Sequence, residues 1–257
     1  MILAVDIGNS NIVLGCFEND QILFIERLST NQNSTELEYT ILIKNILELN
    51  NLSHRAFEGG IISSVVPSVT HTVQAAMTRL TGKPVMVVGP GIRTGLKIKL
   101  DNPAQLGSDR VADAVAAIHE YPCPLIIIDM GTATTMTVID REARVLGGAI
   151  IPGVGISLEA LASGTSQLPH ISLDAPKKCI STDTVEAMRS GSVYGTAAML
   201  DGMIARMEAE LGEPAAVIAT GGLGGCIIPY CRREITYDKN LLLNGLWALY
   251  QKNKRKR

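Results

Sequence analysis

The chain is expected to fold as an α/β protein built from two duplicated halves, and three observations predict this. Val5-Asp6-Ile7-Gly8-Asn9-Ser10-Asn11 is echoed by Ile128-Asp129-Met130-Gly131-Thr132-Ala133-Thr134, each running from an apolar strand into an Asp, a Gly and hydroxyl or amide side chains. Strand patterns followed by helical patterns recur in the same order in both halves, which is the signature of the α/β class. The repeat spans about half the chain, far longer than the roughly 20–50-residue unit of a solenoid. A division into residues 1–121 and 122–257 follows. The ligand cleft is expected between these halves, at the carboxyl ends of their strands.

The elements read in order as follows. Met1 to Ile7 is apolar up to Asp6 and has no basic stretch before it, so it reads as a strand rather than a signal peptide. Asn11 to Phe17 and Ile22 to Arg27 are further strands around the polar turn Glu18-Asn19-Asp20-Gln21. From Thr35 to Leu49 the period changes, with Leu37, Ile41, Ile43, Ile46 and Leu47 at helical spacing. Gly59 to Pro67 is a short buried strand ending in a polar turn; a helix over Val69 to Leu80 and a strand over Pro84 to Val88 follow. In the second half Leu125 to Asp129 is apolar enough to be covered on both faces. Thr135 to Asp140 and Val145 to Ile150 supply the next strands, a long helix runs from about Thr184 to Leu211, and Ala216 to Leu223 repeats the strand-to-polar-turn theme.

Composition narrows the function classes. With 257 residues and 46% hydrophobic content the chain can bury a large core. Its formal charge of −2 offers no bulk electrostatic attraction for nucleic acid or membrane, and no apolar run approaches the ~20 residues of a membrane helix. Cys16, Cys123, Cys179, Cys226 and Cys231 are odd in number and show no metal-ligand spacing, which fits reduced thiols in a cytoplasmic protein. The basic run Lys252 to Arg257 reads as a solvated tail, with an accessory contact to RNA or acidic lipid as the alternative.

The chemistry-bearing residues lie at the strand ends. A Gly-rich hairpin can aim backbone N–H groups at phosphate oxygens while a nearby Asp holds a cation or its water shell. Gly8 permits the tight turn, and Asn9, Ser10 and Asn11 add side-chain donors; an ordinary hairpin is the alternative for either segment taken alone. Two Asp side chains converging on one cleft would resist ionising together unless a cation such as magnesium lay beside them. There is no G-x-x-x-x-G-K-[ST] phosphate loop. Thr220-Gly221-Gly222 follows a buried strand and suits either a plain turn or close approach to a nucleotide. In Gly107-Ser108-Asp109-Arg110, Ser108 is expected to cap a helix whose first turn holds Asp109 and Arg110. Arg110 opposes the helix dipole there, which points to an anionic partner such as a substrate carboxylate.

The order Asp-loop, Asp-loop, Thr-Gly-Gly resembles the actin, Hsp70 and sugar-kinase superfamily, so the halves are expected to be actin-like (ribonuclease H-like). Asp6 to Asn11, Gly107 to Arg110, Asp129 to Thr132 and Pro152-Gly153 together resemble type III pantothenate kinases over nearly the whole chain. That resemblance implies a homodimer that phosphorylates pantothenate with ATP, the first step toward coenzyme A. It places ATP on Asp6, Ile7, Gly8, Asn9, Ser10, Asn11, Ile12, Val13 and Thr132, with Asp6 toward magnesium. Pantothenate falls on Gly107, Ser108, Asp109, Arg110 and Thr184, Asp109 being the base; Asp129 would hold potassium or ammonium. Thr184, beside Asp183 and Glu186, also fits a helix cap. Ser10 keeps the hydroxyl of the family's commoner Thr, whereas Leu100 stands where many members carry a Tyr in the substrate pocket. A sugar or acyl kinase, a Baf-type regulatory relative and an Hsp70-like ATPase are the rival readings.

Overall fold

The computed structural model describes residues 1–254 of the 257. Along the chain come β1 (Ile2–Ile7), β2 (Asn11–Glu18), β3 (Gln21–Ser29), α1 (Glu36–Leu49), β4 (Gly59–Ser64), α2 (Pro67–Thr81) and β5 (Val85–Val87). These are followed by β6 (Lys97–Ile98), α3 (Ser108–Glu120), β7 (Leu125–Met130), β8 (Ala133–Ile139), β9 (Arg144–Pro152) and α4 (Val154–Ser163). The chain continues through α5 (Thr184–Leu211), β10 (Ala216–Thr220), α6 (Gly224–Ile227), β11 (Thr236–Tyr237) and α7 (Leu241–Asn253).

Two compact units result, neither of them one continuous stretch. The first comprises Met1–Gly95, Asn102–Ala116 and Leu241–Arg257; the second comprises Leu96–Asp101 and Ala117–Asn240. A single break at 121/122 was the expectation from sequence. The difference arises because α7 and the start of α3 pack within the first unit, while β6 pairs with β9 in the second.

Within the first unit the strand order is β3-β2-β1-β4-β5, and within the second it is β11-β10-β7-β8-β9-β6. Read from the hairpins outward, β3-β2-β1-β4-β5 and β9-β8-β7-β10-β11 are the same sheet. In both, an antiparallel meander is followed by two parallel strands. The duplication read from two short segments therefore extends to whole-sheet topology, and the fold is actin-like α/β.

Local rules explain most element ends. Thr35 caps α1 with a full capping box: its hydroxyl accepts from Glu38 N, and Glu38 Oε2 accepts from Thr35 N at 2.6 Å. The β2–β3 turn is tighter than the polar stretch suggested and uses Asn19 and Asp20 at φ 47° and 66°, a conformation these two side chains tolerate. Pro67 opens α2, where its missing N–H costs nothing. Gly82 and Gly212, at φ 65° and 75°, close α2 and α5.

Each unit has its own core. In the first, Leu3, Val5, Ile7 and Leu14 meet Tyr39, Ile43, Leu47 and Val73 from α1 and α2. In the second, Ile126, Ile128, Met136 and Val217 meet Val193, Ala197, Leu200 and Ile204 of α5. Helices α4 and α7 have no counterpart in the sequence reading, because Val154 to Ser163 is apolar and small-residue-rich and Leu241 to Leu249 is Leu-rich almost throughout, so neither shows an obvious polar stripe. Lys252 belongs to α7 and donates from Nζ to Thr94 O at 3.0 Å, so the basic run begins as ordered helix; residues 255–257 lie outside the described residues. Among the described residues no helix is long and apolar enough to cross a membrane. All five cysteines are free, and burial pushes the Cys16 and Cys231 thiols up to about 11, so both stay protonated at neutral pH.

Candidate active site

The paired aspartates occupy equivalent places. In β1 and in β7 the first four residues are buried, the Asp is half-buried and the last residue is buried again. Asp6 stands in register with Val13 on the antiparallel side and Ser63 on the parallel side; Asp129 stands in the same way between Thr135 and Thr220. Registered neighbours share a sheet face, so each carboxylate has a buried hydroxyl residue beside it. Ser63 is 0% and Thr220 3% exposed.

In the first unit, the turn after β1 closes with Gly8 N donating to Asn11 O at 2.9 Å. Thr30 braces it from β3's end: its Oγ1 donates to Gly8 O at 2.7 Å and its N to Ser10 O at 3.0 Å. Asn9, Ser10 and Asn11 are exposed at the tip. Ile7 and Ile12 face each other across the hairpin and are buried, and Val13 is half-buried. From Asp6 to Val13 the backbone is thus a braced hairpin whose tip, Asn9 to Asn11, faces outward.

The other residues expected in the first unit gather at the start of α3. Gly107 O accepts from Val111 N at 3.0 Å, so the helical ladder starts from Gly107. Asp109 folds back over Gly107, where a Cβ would lie 2.4 Å from Asp109 Oδ1, and the same oxygen accepts from Arg110 N at 2.7 Å. The expected Ser108 cap is corrected: Ser108 is the first residue of α3, and its hydroxyl bonds Ser64 instead of its own helix. Burial pulls the Arg110 guanidinium below its ordinary value, against the opposing pull of Asp109 and Asp113. A half-buried guanidinium of this kind is a ready partner for a carboxylate.

In the second unit, Gly131 N donates to Ala133 O at 3.0 Å, leaving Thr132 half-buried at the turn. Gly153, at the head of α4, presses on this turn so closely that a Cβ would lie 2.2 Å from Thr132 O and 2.7 Å from Gly131 O. That contact explains why Pro152-Gly153 accompanies the hairpin. Gly221 does the same from β10's end: at φ 89° its Cβ would lie 2.5 Å from Asp129 Oδ1 and 2.6 Å from Met130 N. Tyr237 Oη donates to Gly221 O at 2.8 Å and holds the loop there. The carboxylate of Asp129, with threonines in register on both sides, is an oxygen donor set that fits a hard cation. Among the described residues no group of three or more His, Cys, Asp or Glu could hold a metal ion.

Thr184 opens α5, is exposed and lines a groove of about 570 Å³ with Ser157, Leu161, Met188 and Gly191. The expectation that Thr184 caps this helix is corrected. Asp183 is the cap, accepting from Glu186 N at 2.9 Å, while Glu186 turns to Arg189 and Lys177 N. Leu100 lies against Gly147, 3.7 Å from where a Cβ would be. Sequence reasoning missed Ser63 and Tyr237; the strand-to-polar-turn theme that Gly59 to Pro67 shares with Ala216 to Leu223 was the signal for the first.

Two sheets of one topology, each presenting an Asp-Gly hairpin beside a parallel strand, define an actin-like α/β protein. A structure from Campylobacter jejuni, described as a conserved candidate Baf family transcriptional activator, superposes with a TM-score of 0.61 at 19% identity, covering 98% of each chain. At that identity the likeness is one of fold. The profile of the type III pantothenate kinase family matches residues 2–206. A type III pantothenate kinase of an Exiguobacterium strain is 44% identical over 255 residues, 99% of this chain and 100% of that one. Another, from Brevibacillus brevis, is 42% identical over 253 residues, 98% and 99% of the two chains. The chain belongs to the type III pantothenate kinase family.

Proposed function

We propose that the protein transfers the terminal phosphoryl group of ATP to the primary hydroxyl of pantothenate, giving 4'-phosphopantothenate and ADP at the first step of coenzyme A biosynthesis. Full-length identity to relatives of that name, together with the Gly107–Arg110 turn, carries this reading. In it the braced loop from Asp6 to Val13 and Thr132 bind ATP, whose magnesium is held by the phosphates with Asp6 as an indirect partner. Arg110 pairs with the pantothenate carboxylate; Gly107, Ser108 and Thr184 complete the acceptor contacts. Asp129 is the ligand of a monovalent cation, potassium or ammonium, which supplies fixed positive charge near the phosphates.

Asp109 is the base. Phosphoryl transfer passes through a loose transition state, so the protein mainly positions the groups and neutralises charge. Asp109 therefore orients the acceptor hydroxyl first and takes its proton late, as the new oxygen–phosphorus bond forms and the bond to ADP breaks. We further propose that the protein works as a cytoplasmic homodimer. Support for the dimer comes from the second unit, where Ile156 and Leu161 of α4 are 48% and 41% exposed beside the apolar groove along α5.

ADP release tests the activity. Release that requires pantothenate is expected, with no comparable release on a panel of sugars. Equal release without any acceptor would point instead to a simple ATPase.

A further inference from the structure

The hydroxyl of Ser108 is fully occupied by protein. It donates to Ser64 O at 2.9 Å, accepts from Ser64 N at 2.9 Å and lies 3.1 Å from Ser63 Oγ. A serine hydroxyl has one proton and two lone pairs. With its proton on the Ser64 carbonyl and one lone pair on the Ser64 amide, the remaining lone pair receives the Ser63 hydroxyl. Ser63 is 0% exposed, so water offers its hydroxyl no substitute partner.

These bonds join two parts of the first unit that are far apart in sequence. Ser63 and Ser64 end β4, where they stand in register with Asp6 and Ile7 of β1, and Val65 N donates to Ile7 O at 3.0 Å. The turn beyond β4 is itself fixed, because Thr70 Oγ1 donates to Ser64 Oγ at 2.7 Å and Val66 N donates to the same oxygen at 3.1 Å. A continuous hydrogen-bonded path therefore runs from the Asp6 hairpin across β4 to Ser108, whose next two residues are Asp109 and Arg110. In the second unit Thr220 occupies the place equivalent to Ser63, but Gly221 follows it where the first unit has Ser64. The side-chain bonds made by Ser64 have no equivalent there.

We propose that Ser63 and Ser108 are positioning residues that lock the Asp109–Arg110 turn in register with the Asp6 hairpin, so that the Ser108 hydroxyl acts on the protein and not on the substrate. The proposal rests on the reading of Asp109 and Arg110 as the acceptor-handling groups. It revises the Ser108 contact in that reading to one made by backbone. Loss of the lock lets the helix start drift, and misplacements of about 1 Å cost up to ~10²-fold in rate.

Steady-state kinetics and amide hydrogen exchange on Ser63→Ala, Ser108→Ala and Ser108→Thr test this. Ser63→Ala is expected to lower kcat about 10-fold with KM for ATP within about two-fold, to speed exchange at Gly107 to Val111, and to leave the rest of the exchange map as in wild type. Ser108→Thr, which keeps the hydroxyl, recovers most of what Ser108→Ala loses. A Ser108→Ala variant that raises KM for pantothenate with kcat intact would mean direct substrate contact and overturn the proposal. A Ser63→Ala variant with wild-type kcat and wild-type exchange overturns it as well. If Ser108→Ala fails to fold, Ser63→Ala decides, since it leaves both Ser108 bonds to Ser64 in place. If the wild-type protein does not turn over pantothenate, the substrate reading falls, and the exchange comparison alone then upholds or rejects the lock.

Discussion

Replacing Gly245 by Ala sets two effects of opposite sign against each other and so tests how α3 is held. Helix propensity alone favours the change by about 1 kcal/mol, because Gly is a poor residue in the middle of α7. Packing opposes it. A Cβ at Gly245 would lie 1.9 Å from Ala112 O, 2.5 Å from Ala112 C and 3.0 Å from Ala112 Cα, and all three belong to the α3 backbone. Real Cβ atoms essentially never approach closer than 3.0 Å, so α3 and α7 have to separate by about 1.1 Å, from 1.9 to 3.0 Å. Overpacking of this kind costs ~1–3 kcal/mol and here acts on main chain, which places it at the upper end. The net is a loss of about 2 kcal/mol, or about 4–8 °C in Tm for a chain of this size. Because Ala112 lies only two residues beyond Arg110, the same shift moves Asp109 and Arg110, and a fall in kcat of about 10-fold to 100-fold is expected. Thermal unfolding and steady-state kinetics on the variant read both numbers. A Tm that rises by a few degrees with unchanged kcat would show that propensity dominates and that the α3–α7 contact does not position the site.

Asp109→Asn is expected to lower kcat by at least ~10²-fold while ATP binding, measured by calorimetry, is retained; near-wild-type turnover would remove Asp109 from the mechanism. Asp129→Ala should abolish the difference between potassium and sodium in the assay, and an unchanged cation response would reassign the ion site. The Glu186 carboxylate is held below its ordinary value of 4.5, first by the Arg189 side chain and then by Lys177 N. A lowered folded-state pKa contributes stability that is present above 4.5 and lost as pH falls through the folded value. Glu186→Gln should therefore lower Tm at neutral pH, with the gap to wild type closing as pH drops below 4.5; a gap independent of pH would contradict the pairing.

What could be read from sequence was local. The hairpins at Asp6 and Asp129 were legible because strand, Asp and Gly lie within a few consecutive residues, and α1 and α5 because their caps and closing glycine or asparagine adjoin their periodic runs. Pairings between distant segments were not. Ser64 and Ser108 are 44 residues apart, and nothing in either segment announces the other. The same holds for α7, which sits at the end of the chain yet packs in the first unit. Capping was ambiguous where two candidates adjoin: Asp183 and Thr184 both suit a cap, and the extended backbone of Asp183, φ −135° and ψ 161°, decides between them. Ser108 was misjudged for a related reason. Its hydroxyl suits a cap, but a buried strand end competes for it and wins.

The repeated Asp hairpins proved equivalent in burial and register, yet what surrounds them differs. Beside Asp6 stands a serine pair tied to the Gly107–Arg110 turn; beside Asp129 stands a threonine followed by a glycine that closes over the carboxylate. The difference accords with the separate duties proposed for them, ATP for one hairpin and a cation for the other.

Phosphorus NMR of the reaction mixture tests the central claim most directly, because it identifies the group that receives the phosphoryl. With ATP, magnesium, potassium and pantothenate, a new phosphomonoester resonance growing in step with ADP is the expected result. Inorganic phosphate growing in its place, or no change in the ATP signals, would contradict the assignment of this chain as a pantothenate kinase.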